Sequence, residues 1–222
     1  MRKWVILFFV IKPFISISQN EEYRGSAWAS IVVRHKVSDN YNLVFDIGYR
    51  TFDDYFKRRK QDLIRGLIEG KISGKHSIGI GVAYFENISS NLSTFKKEVR
   101  PFLHYQFVNK RDKSCFNIRF RNEWRNYFEE NEFVNRSRLQ LSYEYKMKNY
   151  FFPKISFEQF ISVQKKITNE QRFSISNTFT ISEKINLNIF YILQLQSNIK
   201  FNNKVLPQNI WGLQLNINIQ KK

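Results

Sequence analysis

The 222-residue chain carries 36 Lys and Arg against 19 Asp and Glu, a formal net charge of +17, with 22 Phe, 11 Tyr and a single Cys. One cysteine excludes an internal disulfide, so a domain of this size must find its stability in its own packing or its surroundings. Net charge speaks to association and not to fold: a surface for an anionic partner fits it, and so does a plain compositional bias toward Lys, Asn, Ile, Phe and Tyr.

Arg2 and Lys3 precede the apolar run Trp4–Ile11, and Ser16 and Ser18 place small residues just ahead of Gln19. That is the layout of a cleaved secretory signal. A membrane-spanning helix needs about 20 apolar residues, and this run is far shorter. No cysteine follows the run, so a lipoprotein anchor is not expected. The reading therefore assigns residues 1–18 to a signal peptide and residues 19–222 to a single domain. Export makes nucleic acid an unsuitable partner.

From Ala27 onward the sequence alternates. Trp28–Val37 forms a first segment. Tyr41, Leu43, Phe45, Ile47 and Tyr49 then oppose Asn42, Asp46 and Arg50. Ile64, Ile68 and Ile72 oppose Arg65, Glu69 and Lys71, and Ile78, Ile80, Val82 and Tyr84 oppose Ser77, Gly79, Gly81 and Ala83. Val99, Pro101, Leu103, Tyr105 and Phe107 oppose Glu98, Arg100, His104 and Gln106. Phe116, Ile118, Phe120 and Trp124 alternate with Asn117, Arg119, Arg121, Glu123 and Arg125, and Leu139, Leu141, Tyr143 and Tyr145 with Arg136, Arg138, Gln140, Ser142 and Glu144. Phe151, Ile155 and Phe157 oppose Lys154, Ser156 and Glu158; Phe173, Ile175, Phe179 and Ile181 oppose Arg172, Ser174, Ser176, Thr178 and Thr180. The runs Ile185–Leu195 and Trp211–Ile219 close the series, interleaved mainly with Asn and Gln. Period two over such lengths means strand, because successive side chains point to opposite faces.

Short polar turns at Ser38–Asn40, Ser73–Lys75, Met147–Asn149 and Ser182–Lys184, with a slightly longer one at Asn109–Ser114, alternate with longer loops at Asp53–Lys60, Asn87–Phe95, Phe128–Phe133, Gln164–Asn169 and Ser197–Pro207. This is an up-and-down meander with the asymmetry of outer-membrane barrels, whose short turns are periplasmic. Strand length separates a membrane barrel from a soluble one: tilted membrane strands need about 9–11 residues, whereas soluble strands cluster at about 5–6. A soluble barrel would also have to bury the aromatic and branched residues of every strand inside, whereas a membrane barrel turns them to lipid. The expected fold is all-β, an antiparallel up-and-down transmembrane β-barrel. Eleven segments are visible, bacterial single-chain barrels have even strand numbers, and the reading settles on twelve with ten as the alternative. Since the last strand should end in the periplasm, the first segment would begin outside unless Gln19–Ser26 crosses the wall or threads the lumen. Tyr105, Phe107, Tyr145, Phe151 and Trp211 near strand ends suit interfacial girdles.

The polar faces hold the candidate site: a lumen charge network of Arg50, Glu98, Arg100, Arg119, Arg121, Glu123, Arg125, Arg136, Arg138, Glu144 and Glu158, with Arg65, Glu69 and Arg172 on the same faces. A turn centred near residue 111 sets Glu98 opposite Arg125 and Arg100 opposite Glu123, with Glu123 near Arg136 or Arg138 on the next hairpin. Guanidinium and carboxylate suit such bidentate pairing. Two readings stand side by side. The charges fill a narrow barrel and lock its register, or the surplus of Arg makes a lumen for a small anionic solute.

The pattern Glu98-x-Arg100, Arg119-x-Arg121-x-Glu123 and Arg136-x-Arg138, after a Trp28 strand and a strand ending Tyr49-Arg50, resembles an outer-membrane β-barrel family catalogued as domain of unknown function 2490. The resemblance covers nearly the whole mature chain. It implies a barrel in the Gram-negative outer membrane and supplies no reaction or substrate. The end Ile219-Gln220-Lys221-Lys222 departs from barrel practice in lacking a terminal aromatic.

Catalytic and metal chemistry are not expected. His35, His76 and His104 show no metal-ligand spacing such as H-E-x-x-H, and no cofactor is implied. Ser114, His104 and Glu98 are the only nucleophile, base and orienting group worth weighing for a lipid-modifying enzyme. Lys57-Arg58-Arg59-Lys60, beside Tyr55 and Phe56, could touch outer-leaflet lipid phosphates, a solvated loop tip being the blander account. The sequons at Asn87 and Asn91 carry no weight in a bacterial chain. The lipid bilayer is the expected partner and a monomer the expected state.

Overall fold

The computed structural model describes residues 25–52, 58–88, 95–129, 132–147, 150–163, 168–198 and 204–219. The expected signal segment 1–18, the second sequon, part of each expected longer loop and the terminal Gln220-Lys221-Lys222 lie outside them.

The strands are β1 (Gly25–Lys36), β2 (Tyr41–Thr51), β3 (Arg59–Lys71), β4 (His76–Ile88), β5 (Phe95–Arg111), β6 (Ser114–Tyr127), β7 (Glu132–Tyr145), β8 (Phe151–Val163), β9 (Thr168–Thr180), β10 (Ile185–Asn198) and β11 (Lys204–Ile219). Each pairs with its chain neighbours, and β1 pairs with β11 to close the barrel. Among the described residues the strand number is therefore eleven, correcting the expected twelve. The antiparallel up-and-down pattern is also broken once. With an odd number of alternating strands the first and last run the same way, so the seam is parallel, from Gly25↔Asn209 to His35↔Ile219. The start of β1 is tied to the end of β2 by Ser26 Oγ, which donates to the Thr51 carbonyl at 2.6 Å, and by the Ala27 amide, which donates to Thr51 Oγ1 at 2.9 Å.

Five connections gather at each end. At the turn end, the Val37, Ile72 and Ile181 amides donate to the carbonyls of Tyr41, His76 and Ile185 at 3.0, 2.9 and 2.9 Å. Ser38 and Ser182 hydroxyls accept from the amides three residues on, at 3.1 and 3.2 Å. A serine oxygen caps the turn in place of a backbone partner. The β5–β6 connection is only Asp112 and Lys113, shorter than expected, because β5 runs on to Arg111. The other end, called the loop end here, carries the connections after Thr51, Ile88, Tyr127, Val163 and Asn198.

The alternation sorts side chains as a membrane demands. Phe45, Ile47 and Tyr49 are exposed while Val44, Asp46 and Gly48 between them are buried. Ile64, Ile68, Ile80, Ile155 and Ile175 also stand on the outside, Ile80 at 64% exposure. A continuous belt of exposed Ile, Phe and Tyr is unstable in water and matched to acyl chains. Closure gives every strand a paired neighbour on both sides, so no sheet edge is left open to lipid.

Two outcomes test this arrangement. Ile80→Arg should lower unfolding stability in lipid vesicles by about 2–4 kcal/mol if Ile80 lies near the bilayer midplane. In a Cys115→Ser background, cysteines at the in-register outward pair Ala29 and Leu213 should cross-link on mild oxidation; persistent free thiols would argue against the parallel seam.

Candidate functional site

Inward parity brings the ionic residues together, and register sets their depth. On the β5–β6 hairpin, Glu98 aligns with Tyr127, Phe102 with Glu123 and His104 with Arg121. This is two residues off the expected pairing, since the tight Asp112-Lys113 turn moves the centre of the hairpin. A shift of two preserves the faces, and long side chains reach diagonally. Arg125 Nε still donates to Glu98 at 2.6 Å and Arg100 lies 3.7 Å from Glu123.

In the loop-end half the charges form one layer. Glu98, fully buried, accepts from Arg100 at 2.8 Å and twice from Arg125. Glu123, 1% exposed, accepts from Arg136 Nη2 at 2.5 Å and Arg138 Nη1 at 2.6 Å, with Arg121 at 3.8 Å. Arg138 also donates to Glu158 at 2.7 Å, and Arg119 and Arg172 stand 3.7 and 3.9 Å from Glu158. Arg172 continues to Glu170 at 2.5 Å and to Gln194 at 3.0 Å. The layer thus runs without a break from β5 to β10. Breaking such a buried network costs far more than an exposed pair, because the charge left behind stays desolvated.

Aromatic rings hold these guanidiniums from the other side. Arg100 lies 3.9 Å over Phe85, Arg121 4.5 Å over Phe102, and Arg136, Arg138 and Arg172 at 5.1, 4.6 and 4.4 Å over Phe160. Arg50 stacks on Trp28 at 4.0 Å. Phe102 has room because Gly81 faces it: a Cβ there would meet the ring at 2.5 Å. Phe85 and Phe102 pack with Leu63 and Ala83 into an apolar wall inside the barrel. Of these, Ala83 was on the expected inward face, whereas Leu63, Phe85 and Phe102 escaped the sequence reading although each sits on the parity of the charged positions, which was the available signal.

Two members of the expected network stand apart. Arg50 reaches Gln61 at 2.7 Å and makes no ion pair among the described residues. Glu144 lines the lumen near the turn end, opposite Lys154, and likewise makes none. Nearer the turn end Arg65 bonds Asp46, and Arg34 donates to Glu69 at 2.5 Å. His104 is buried 4.0 Å from Glu69. Ser114, at the turn end, is not brought to His104, and Glu98 lies in the opposite half. Among the described residues no grouping of His, Cys, Asp and Glu could hold a metal ion.

What remains between the walls is a cavity of about 660 Å³. Twelve Arg and Lys side chains line it against four Asp and Glu. Toward the turn end its β9–β11 side is uncharged and half-buried, with Ser174, Ser176, Thr178, Asn188, Gln214 and Asn216, while β8 adds Lys154 and Ser156.

A closed barrel with an apolar belt and an ionised lumen has the architecture of outer-membrane β-barrel proteins. The NanC porin shares the fold with a TM-score of 0.51 at 14% identity, over 84% of this chain and 93% of its own. Outer-membrane expressed OmpT of Vibrio cholerae aligns at 8% identity with a TM-score of 0.45, over 79% of this chain and 59% of its own, so the chain spans under two thirds of that protein. The anion-selective porin from Comamonas acidovorans aligns at 9% identity with a TM-score of 0.42, over 81% of this chain and 53% of its own. No curated protein sequence matches the chain. The chain belongs to the family described as protein of unknown function (DUF2490), whose model matches residues 25–205.

Glu123→Gln should destabilise the barrel by about 3–5 kcal/mol, since it strips the shared counter-charge from Arg136 and Arg138. Combining it with Arg136→Met should restore part of the loss in a double-mutant cycle by urea unfolding; simple additivity would mean that the network is not coupled.

Proposed function

We propose that this barrel, exported under residues 1–18 and seated in the outer membrane of a Gram-negative envelope, takes a small anionic solute into its lumen as a narrow pore or binding barrel. The observation that carries the reading is the charge of the cavity wall, twelve basic side chains against four acidic. Salt bridging does not use up that excess. Arg65, Arg100, Arg119, Arg121, Arg125, Arg136, Arg138 and Arg172 draw on Asp46, Glu98, Glu123, Glu158 and Glu170, and Arg50 draws on no carboxylate among the described residues. Guanidiniums in a confined, low-dielectric passage favour anions and reject cations. No catalytic step forms part of this reading, and the barrel acts as a monomer.

A second reading rests on its own observation. Glu98, Glu123, Phe102 and Phe160 are all but inaccessible to solvent, as in a plug that closes the loop-end half and leaves external segments to make contacts.

Planar-bilayer recording separates the two. Steady current with a reversal potential near that of chloride supports the solute reading, silence supports the plug, and cation preference would sink the solute reading. Cys115, on the inward parity of β6 opposite Glu144, offers a native handle. An anionic thiol adduct there should reduce anion current, and a cationic adduct of equal size should reduce it less.

A further inference from the structure

An anion drawn into this lumen needs a resting place, and the guanidiniums that the ionic layer leaves under-used mark it. Arg50 on β2 and Arg65 on β3 share the cavity with Arg119 and Arg121 on β6, a sector of wall separated from theirs by β4 and β5. The two sectors feel each other. Arg65 and Arg138 are both within electrostatic reach of Arg50, Arg119 and Arg121. Arg121 and Arg138 face one another directly in register, a placement of like charges that destabilises a strand pair, and the Glu123 Oε1 they share lies 2.6 Å from Arg138 but 3.8 Å from Arg121.

Arg65 is held by Asp46 at the edge of the group, and the partners of the other three do not settle their charges. Arg50 has Gln61 and the Trp28 ring. Arg119 and Arg121 come only to 3.7 and 3.8 Å of carboxylates that Arg138 already bonds. Arg121 Nε is buried with no hydrogen-bond partner. Stacking of Arg50 on Trp28 and of Arg121 on Phe102 fixes both guanidinium planes, so their donor edges are held ready at little entropic cost.

We propose that Arg50, Arg65, Arg119 and Arg121 form one binding site for a tetrahedral dianion of the phosphate type, as inorganic phosphate or a phosphomonoester. This rests on the anion reading above and adds its place and chemical class. A monocarboxylate is planar and satisfies one guanidinium edge. Donors arriving from three strands in two sectors of the wall match oxygens spread over a tetrahedron, and two negative charges answer the surplus that one would leave. The aromatic stacks keep the arginines from collapsing onto Glu123 and Glu158 while the site is empty.

The test uses the full mature chain in detergent at mildly alkaline pH and constant ionic strength, with titration calorimetry and thermal unfolding. Inorganic phosphate should bind at least about tenfold tighter than acetate or chloride and raise the unfolding midpoint, because bidentate charge-assisted bonds outweigh point attraction. Glycerol phosphate separates the two sources: affinity equal to that of phosphate assigns recognition to the phosphoryl group alone, and tighter binding extends the site to organic phosphates. Arg50→Gln should weaken phosphate binding about tenfold without lowering the midpoint of the unliganded barrel, and Arg121→Gln should weaken it as much while also lowering that midpoint through its lost Glu123 and Phe102 contacts, whereas Arg111→Gln, at the β5–β6 turn outside the cavity, should change neither. Phosphate binding no tighter than acetate overturns the site, and so does an equal loss in Arg111→Gln, which would reduce the effect to net charge. Anion-selective current without a phosphate preference overturns the site while leaving the lumen reading intact; cation-selective current without phosphate binding overturns both.

Discussion

Everything in this barrel follows from the need to pair each backbone amide and carbonyl of a lipid-facing wall within the sheet. Eleven strands meet that need only if the first and last run the same way, and the β1–β11 register does this over nearly the whole of β1. Closure then leaves side chains two destinations. The outside accepts the Ile, Phe and Tyr that make up the belt. The inside receives what remains, and in so narrow a cylinder these residues must fill space as well as balance charge.

That double demand explains why arginine dominates the lumen. A carboxylate stripped of water needs several donors, and Glu123 lies within 4 Å of four guanidiniums. Each guanidinium in turn presents a flat face that a ring can cover, which lysine lacks. Phe85, Phe102 and Phe160 therefore serve the charges above them: they exclude water, which strengthens each ion pair, and they fix the plane in which each donor points. A network of this kind needs some excess of arginine simply to satisfy its carboxylates. Arg50 lies beyond that requirement, because it stands at the cavity bonded to Gln61 and serves no carboxylate among the described residues.

Much of this was legible in the sequence, and the limits have a physical cause. Period-two alternation reports which face a residue occupies, so the strands, the belt and the inward set Glu98, Arg100, Arg121, Glu123, Arg136 and Arg138 could be read directly. Alternation does not report depth. Depth comes from register, and register came from a turn whose length was misjudged: Asp112 and Lys113 alone join β5 to β6, so Glu98 meets Tyr127 where Arg125 was expected. For the same reason Glu144 was grouped with the network although it sits toward the other end of the barrel. Strand number went astray through an evenness rule, which holds only when both chain ends lie on the same side. The inward aromatics were overlooked because apolar residues were assigned to lipid by type, although Phe102 and Phe160 stand on charged parity.

Depth also gives the lumen a direction. On the β8–β11 side burial falls from the loop-end half, where Phe160, Glu158 and Gln194 are buried, to the turn-end half, where Ser, Thr, Asn and Gln are half-buried. An anion entering from the turn end would leave water gradually, with polar side chains replacing its hydration, and would meet rising positive charge as the local dielectric falls. Attraction would then grow at the rate at which desolvation grows, which flattens the barrier to entry. Coming from the loop end, the same ion would first have to part the Glu98–Arg100–Arg125 and Glu123–Arg136–Arg138 contacts. The carboxylates that hold the arginines in place thus also limit how firmly an anion can be kept, because every oxygen an anion offers competes with one already bonded. Filling and locking are in this sense one arrangement of the same residues, and any room for the proposed anion is set by how many guanidiniums the carboxylates leave unanswered.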